Sequence, residues 1–128
     1  MIGLDTNILI RYVLRDDEKQ FQSASQLIEG KDTIIISLLT LQESEWVLRA
    51  CAKLDKLQII TLFKALLETY NVTIQSEDVF EQALLSFENG SADFSDCLMV
   101  AQYRHIGCEK MVTFDKNAAK VDGVILLA

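Results

Sequence analysis

Four acidic residues, far apart in the chain, stand where carboxylates can gather around one cation: Asp5, Glu43, Asp96 and Asp115. Asp5 ends the apolar run Met1-Ile-Gly-Leu4, and Asp115 ends Met111-Val-Thr-Phe114. If both runs are strands of a parallel sheet, both acids lie on its carboxyl edge, where open α/β folds bind their ligands. Asp96 follows Asp93 by three residues in the first turn of a predicted helix. Glu43 is the single charge on a helical stripe formed by Leu39, Glu43, Trp46, Val47, Ala50, Cys51 and Leu54, and a carboxylate on a buried stripe is costly unless it is paired or bound to a metal. Two carboxylates about 4 Å apart repel by roughly 4 kcal/mol at an effective dielectric near 20. Such a cluster therefore calls for protons or a divalent ion. All-oxygen donors suit Mg²⁺ or Mn²⁺. An ion of this kind can deprotonate a water, orient a phosphate and stabilise the charge that develops in phosphodiester hydrolysis.

Each acid also has an ordinary reading. Asp5 fits a helix N-cap, and Asp115 fits a turn residue before Lys116-Asn117. Asp93 fits a cap or an outer acid of the site, and the helix dipole favours acids at that end. Glu43 fits an ion pair with Arg49 or Arg104, or a side chain that snorkels to water near the helix start. Glu45, off the stripe, is expected to be solvated. His105, the only histidine, lies well beyond Asp96 on the same predicted helix and reads as structural or exposed, not as a general base.

The elements that must position these residues alternate between strand and helix. After the first strand and turn, a helix carries Arg11 and Arg15. Asp16-Asp17-Glu18 then opens a second helix with apolar positions at Phe21, Ala24, Leu27 and Ile28, which Gly30 ends. Thr33-Ile-Ile-Ile-Ser37 is β-branched and continuous, as in a strand buried on both faces. Beyond the Glu43 helix, Asp55 caps a helix that runs to about Tyr70, and Asn71-Val-Thr-Ile74 is a short strand. Ser76 is placed as the cap of a helix carrying Val79, Phe80, Ala83, Leu84 and Phe87, ended by Asn89-Gly90. The helix that follows Asp93 stops near Gly107. Val121 to Leu127, with Gly123 inside it, offers a last strand. Strands and helices in this order call for a parallel sheet with helices on both faces.

Composition bounds the function. A chain of 128 residues, half apolar and a quarter charged, is one domain with a core of its own. No proline and only five glycines interrupt it, so nothing marks a linker. Its net charge of −7 argues against a protein that grips nucleic acid by neutralising many phosphates. The start has no basic, long-apolar leader, no apolar run is long enough for a bilayer, and a cytoplasmic protein is expected. Cys51, Cys97 and Cys108 lack metal-binding spacing and are expected as reduced, core or near-core thiols.

Four blocks in order resemble the PIN-domain ribonucleases, specifically the VapC-type toxins of type II toxin-antitoxin pairs. They are Met1-Ile-Gly-Leu-Asp5-Thr-Asn-Ile-Leu-Ile-Arg-Tyr12, Leu39-Thr-Leu-Gln-Glu43-Ser-Glu-Trp46-Val-Leu-Arg49, Ala92-Asp93-Phe-Ser-Asp96-Cys-Leu98 and Thr113-Phe-Asp115. The resemblance spans nearly the whole chain. It implies an α/β, three-layer α/β/α fold with a five-stranded parallel sheet, a homodimer, and a Mg²⁺- or Mn²⁺-dependent endoribonuclease that cuts structured RNA such as tRNA or rRNA. It places Asp5, Glu43, Asp96 and Asp115 in the acidic quartet, with Asp5, Asp96 and Asp115 as metal ligands. Thr6 and Thr113 support the site, and Asn7 orients the first turn. It also implies a small VapB-type antitoxin whose arginine-bearing tail fills the acidic groove, and DNA binding only through that antitoxin. Arg11 and Arg15, and likewise Lys116 and Lys120, are either solvated charges or contacts to RNA phosphates.

Three other readings fit less of the chain. A PIN-like nuclease for DNA or branched substrates would need clamping elements for which there is no room. A haloacid-dehalogenase phosphatase needs a second Asp two residues after the first, where this chain has Asn7. A non-enzymatic, receiver-like or protein-binding acidic α/β domain predicts weak metal affinity and an indifferent Asp5→Asn variant.

Overall fold

A computed structural model describes residues 1–128 as two compact units, Met1–Gln75 and Ser76–Ala128. The first unit contains strand β1 (Ile2–Gly3), helices α1 (Thr6–Leu14) and α2 (Glu18–Ile28), strand β2 (Ile34–Ile36), helix α3 (Leu38–Trp46) with a π-helical turn at Val47–Cys51, helix α4 (Lys56–Leu67) and strand β3 (Val72–Ile74). β2 lies between β1 and β3, parallel to both, with Ile2 opposite Ile34 and Ile34 opposite Val72. Ile34 and Ile36 are fully buried, as their β-branched run predicts.

The second unit contains helices α5 (Glu77–Asn89) and α6 (Phe94–His105) and strands β4 (Met111–Thr113) and β5 (Val124–Leu126). The two strands are parallel, with Met111 opposite Val124. Its core is aromatic. Phe94 meets the rings of Phe80 and Phe87 edge-on at centroid separations of 6.3 and 5.5 Å.

The fold is α/β and every strand pairing is parallel, as expected. Hydrogen bonds join β1, β2 and β3 in the first unit and β4 with β5 in the second. Each strand offers only two or three residues to a ladder.

Local chemistry explains most helix limits. Asp55 accepts from Gln58 N–H at 2.8 Å while the Gln58 side chain accepts from Asp55 N–H at 2.9 Å, a complete capping box at the expected cap. α6 ends in a Schellman turn: Gly107 takes φ +97°, its N–H donates to Arg104 O at 3.0 Å, and Cys108 N–H donates to Tyr103 O at 2.9 Å. Ser76 occupies the expected cap position of α5, yet it sits at φ +52° and makes no side-chain cap bond.

The stripe assigned to α3 is out of phase. Leu38, Leu41, Glu45 and Leu48 are buried, whereas Leu39, Glu43 and Trp46 face solvent. Apolar residues occupy both faces of this helix, so periodicity alone does not choose between them. The carboxylate that is actually buried is Glu45, 3% exposed and paired with Arg49 Nε at 2.9 Å, and so it is not the solvated side chain expected. Only Cys97 is a core thiol; Cys51, closing the π turn, and Cys108, past the Gly107 turn, are exposed.

Removing the capping box with Asp55→Ala should cost about 1 kcal/mol in urea unfolding. Ser76→Ala, which breaks no cap bond, should cost clearly less. Equal losses would contradict this assignment of the caps.

Candidate active site

In the first unit, Asp5 takes the N-cap position of α1 with extended backbone (φ −76°, ψ 154°). Its carbonyl accepts from Ile8 N–H at 3.1 Å, but its side chain makes no cap bond and is exposed. Capping therefore explains the place of Asp5 and leaves its carboxylate available. Thr6, beside it, is buried.

α3 is tied to the end of the same strand. Ser37 Oγ accepts from Thr40 N–H at 3.1 Å and so caps the helix, Gln75 Oε1 accepts from Leu38 N–H at 3.1 Å, and Thr40 Oγ1 donates to Leu4 O at 3.3 Å. Glu43 follows Thr40 by one turn and is exposed. Of the cations considered for it, Arg49 pairs with Glu45, and within the second unit the Arg104 guanidinium donates to Asp122 O.

In the second unit, Asp93 is the N-cap of α6 and, like Asp5, makes no side-chain cap bond. Its carbonyl accepts from the N–H groups of Asp96 and Cys97, both at 3.1 Å. Asp96 is partly buried in the first turn. Its carboxyl holds its proton above the ordinary carboxylate range, through burial first, then the charge of Asp115, then that of Asp93. The positive end of the helix would favour the ionised form, and here burial and like charge outweigh it.

Asp115 is fixed from both sides. Its N–H donates to Thr113 Oγ1 at 3.0 Å, and its Oδ1 accepts from Asn117 N–H at 2.8 Å. It is thus a turn residue, as its ordinary reading holds, and also a source of the field at Asp96. Thr113 thereby holds the backbone of Asp115.

Arg11, Arg15 and His105 have partners of their own. Arg11 Nη1 reaches both Asp16 oxygens, at 2.9 and 2.8 Å, and the Arg15 guanidinium lies 4.6 Å from the centre of the Phe21 ring. His105 Nδ1 lies 3.3 Å from Asp78 Oδ2, both largely exposed.

The sequence pattern of the PIN domain matches residues 2–124. The chain belongs to the PIN-domain family. Among solved structures, this PIN domain is similar to the VapC20 toxin of Mycobacterium tuberculosis, described as cleaving the sarcin-ricin loop, at 17% identity and a TM-score of 0.46 over 93% of each chain. It is also similar to a chain of a toxin-antitoxin complex from Klebsiella pneumoniae, at 24% identity and a TM-score of 0.37 over 98% of this chain and 96% of that one. No curated protein matches it.

Neither unit of the PIN domain by itself gathers three or more His, Cys, Asp or Glu side chains in a position to hold a metal. The donor chemistry nevertheless fits a hard cation. Asp93, Asp96 and Asp115 are oxygen donors, the charges of Asp115 and Asp93 add to burial in disfavouring the ionised form of Asp96, and a divalent ion would relieve that. No helix is long and apolar enough to cross a membrane.

The raised proton affinity of Asp96 sets a sign for stability. The folded protein binds that proton more tightly than the unfolded chain, so the contribution of Asp96 is full at low pH and is lost as pH rises from the ordinary carboxylate value through the raised one. In metal-free buffer at neutral pH, Asp96→Asn should therefore raise Tm, and the gain should shrink as pH falls through that window. A lower Tm at neutral pH would contradict the electrostatic account.

Proposed function

We propose that this PIN domain, a single domain over residues 1–128, is a Mg²⁺- or Mn²⁺-dependent endoribonuclease of the VapC toxin type. It cuts phosphodiester bonds in structured RNA such as tRNA or rRNA, acts in the cytoplasm as a homodimer, and is restrained by a small antitoxin of its own. The observation that carries this reading is the electrostatic opposition at Asp96, where burial, Asp115 and Asp93 all disfavour the ionised carboxylate. Membership in the PIN family supports it.

In this reading Asp5, Asp96 and Asp115 are the residues that would hold the ion. Bound there, it supplies charge neutralisation at the phosphate and activation of a water. Thr113 fixes Asp115 through the backbone N–H of that residue. Glu43, exposed and without the Arg49 pair, accepts a hydrogen bond from the attacking water. Asp5 is free for its role because α1 is capped without its side chain. His105, against Asp78, takes no part. Carboxylates of this kind would also suit an antitoxin tail bearing an arginine, whose guanidinium can make two parallel hydrogen bonds to a carboxylate in place of the cation. DNA contact belongs to the antitoxin.

Purified protein incubated with total RNA and Mg²⁺ or Mn²⁺ should produce discrete cleavage products. Chelator, Asp5→Asn and Asp96→Asn should each abolish them, a loss of at least about 100-fold, as expected for removal of a metal ligand. Cutting that persists in both variants would defeat the site assignment.

A further inference from the structure

α3 presents an apolar stripe to water with a proposed active-site acid at its centre. Leu39, Glu43 and Trp46 stand at i, i+4 and i+7 on one helical face. Leu39 is 72% exposed and Trp46 54% exposed. Residues three or four apart on a helix have side chains about 5–6 Å apart at Cβ. The indole of Trp46 is therefore one turn from the Glu43 carboxylate. Thr40, on the same helix, is hydrogen-bonded to Leu4 O beside Asp5. A π-helical turn follows directly at Val47–Cys51, and such turns recur at functional sites.

We infer that Trp46 is a base-stacking platform for the RNA substrate, holding a nucleobase next to the phosphodiester that the acidic site attacks. This rests on the ribonuclease reading. The charge of the chain points to it. At −7 the protein cannot draw its affinity for a polyanion mainly from phosphate neutralisation, and Arg11 and Arg49 are paired with Asp16 and Glu45. Stacking on an aromatic face needs no positive charge and tolerates any base. Single-stranded loops of structured RNA supply unstacked bases for it, and Leu39, on the other side of Glu43, extends the apolar surface for a neighbouring sugar or base.

Trp46 is the only tryptophan, so its emission reports on this face directly. The inactive Asp5→Asn protein is titrated, in Mg²⁺, with an RNA hairpin bearing a single-stranded loop, while anisotropy of the labelled RNA reads binding independently. Tryptophan emission should be quenched with the Kd that anisotropy gives. Trp46→Ala in the same background should weaken binding about 5- to 150-fold, the range of base–aromatic stacking, with Tm unchanged, and Trp46→Phe should retain most of the affinity. In the active protein, Trp46→Ala should raise KM far more than it lowers kcat. RNA binding with unchanged emission would overturn the stacking role and leave the nuclease standing. Emission that shifts with protein concentration, RNA adding nothing, would overturn it in favour of a second copy of the chain on this face. A protein that neither binds nor cuts RNA would overturn the ribonuclease reading and this inference together.

Discussion

A partly buried carboxylate in the field of two others resists ionisation, and the candidate site is argued outward from that constraint at Asp96. Asp96 lies in the first turn of α6, where the helix end attracts negative charge, and its proton is nevertheless held more tightly than in water. Burial does most of this, and the charges of Asp115 and Asp93 add to it. At neutral pH a protein gains no stability from such an arrangement. An acid whose ionisation is disfavoured in this way is a candidate for a site that binds a cation or moves a proton.

The surrounding structure leaves those acids available. Asp5 and Asp93 sit at helix N-caps, where an aspartate would ordinarily accept from the helix backbone, and neither side chain does so. α4, whose cap has no part in the site, uses the complete box at Asp55 and Gln58. Parallel strands supply the rest of the placement: Asp5 follows β1 and Asp115 follows β4 within two residues, each at the carboxyl end of its strand. Thr113, the last residue of β4, holds the backbone of Asp115 so that its turn geometry is fixed.

What the sequence reveals depends on the range of the interaction. Capping boxes and glycine stops are decided within a few residues, and Asp55, Asp93 and Gly107 lie where their neighbours predict. The alternation of strand and helix is equally legible, because β-branched runs such as Ile34–Ile36 have few other uses. The face of α3 is not legible, since Leu38, Leu41 and Leu48 on one side compete with Leu39 and Trp46 on the other. Which side is core depends on what packs there, and that information is not local. The same ambiguity exchanged the roles of Glu43 and Glu45 and hid the exposure of Trp46, for which the spacing Glu43-x-x-Trp46 was the available signal.

The proposed binding of a cation at Asp96 is open to direct measurement by following Tm against Mn²⁺ concentration for the wild-type protein and for Asp96→Asn. Ligand that binds only the folded state stabilises it by about 2.7 kcal/mol at 100 times Kd, so the wild-type Tm should climb steadily with Mn²⁺. The variant, which has lost a ligand and the repulsion together, should start higher and stay nearly flat. A wild-type Tm indifferent to Mn²⁺, or parallel curves for the two proteins, would contradict the account.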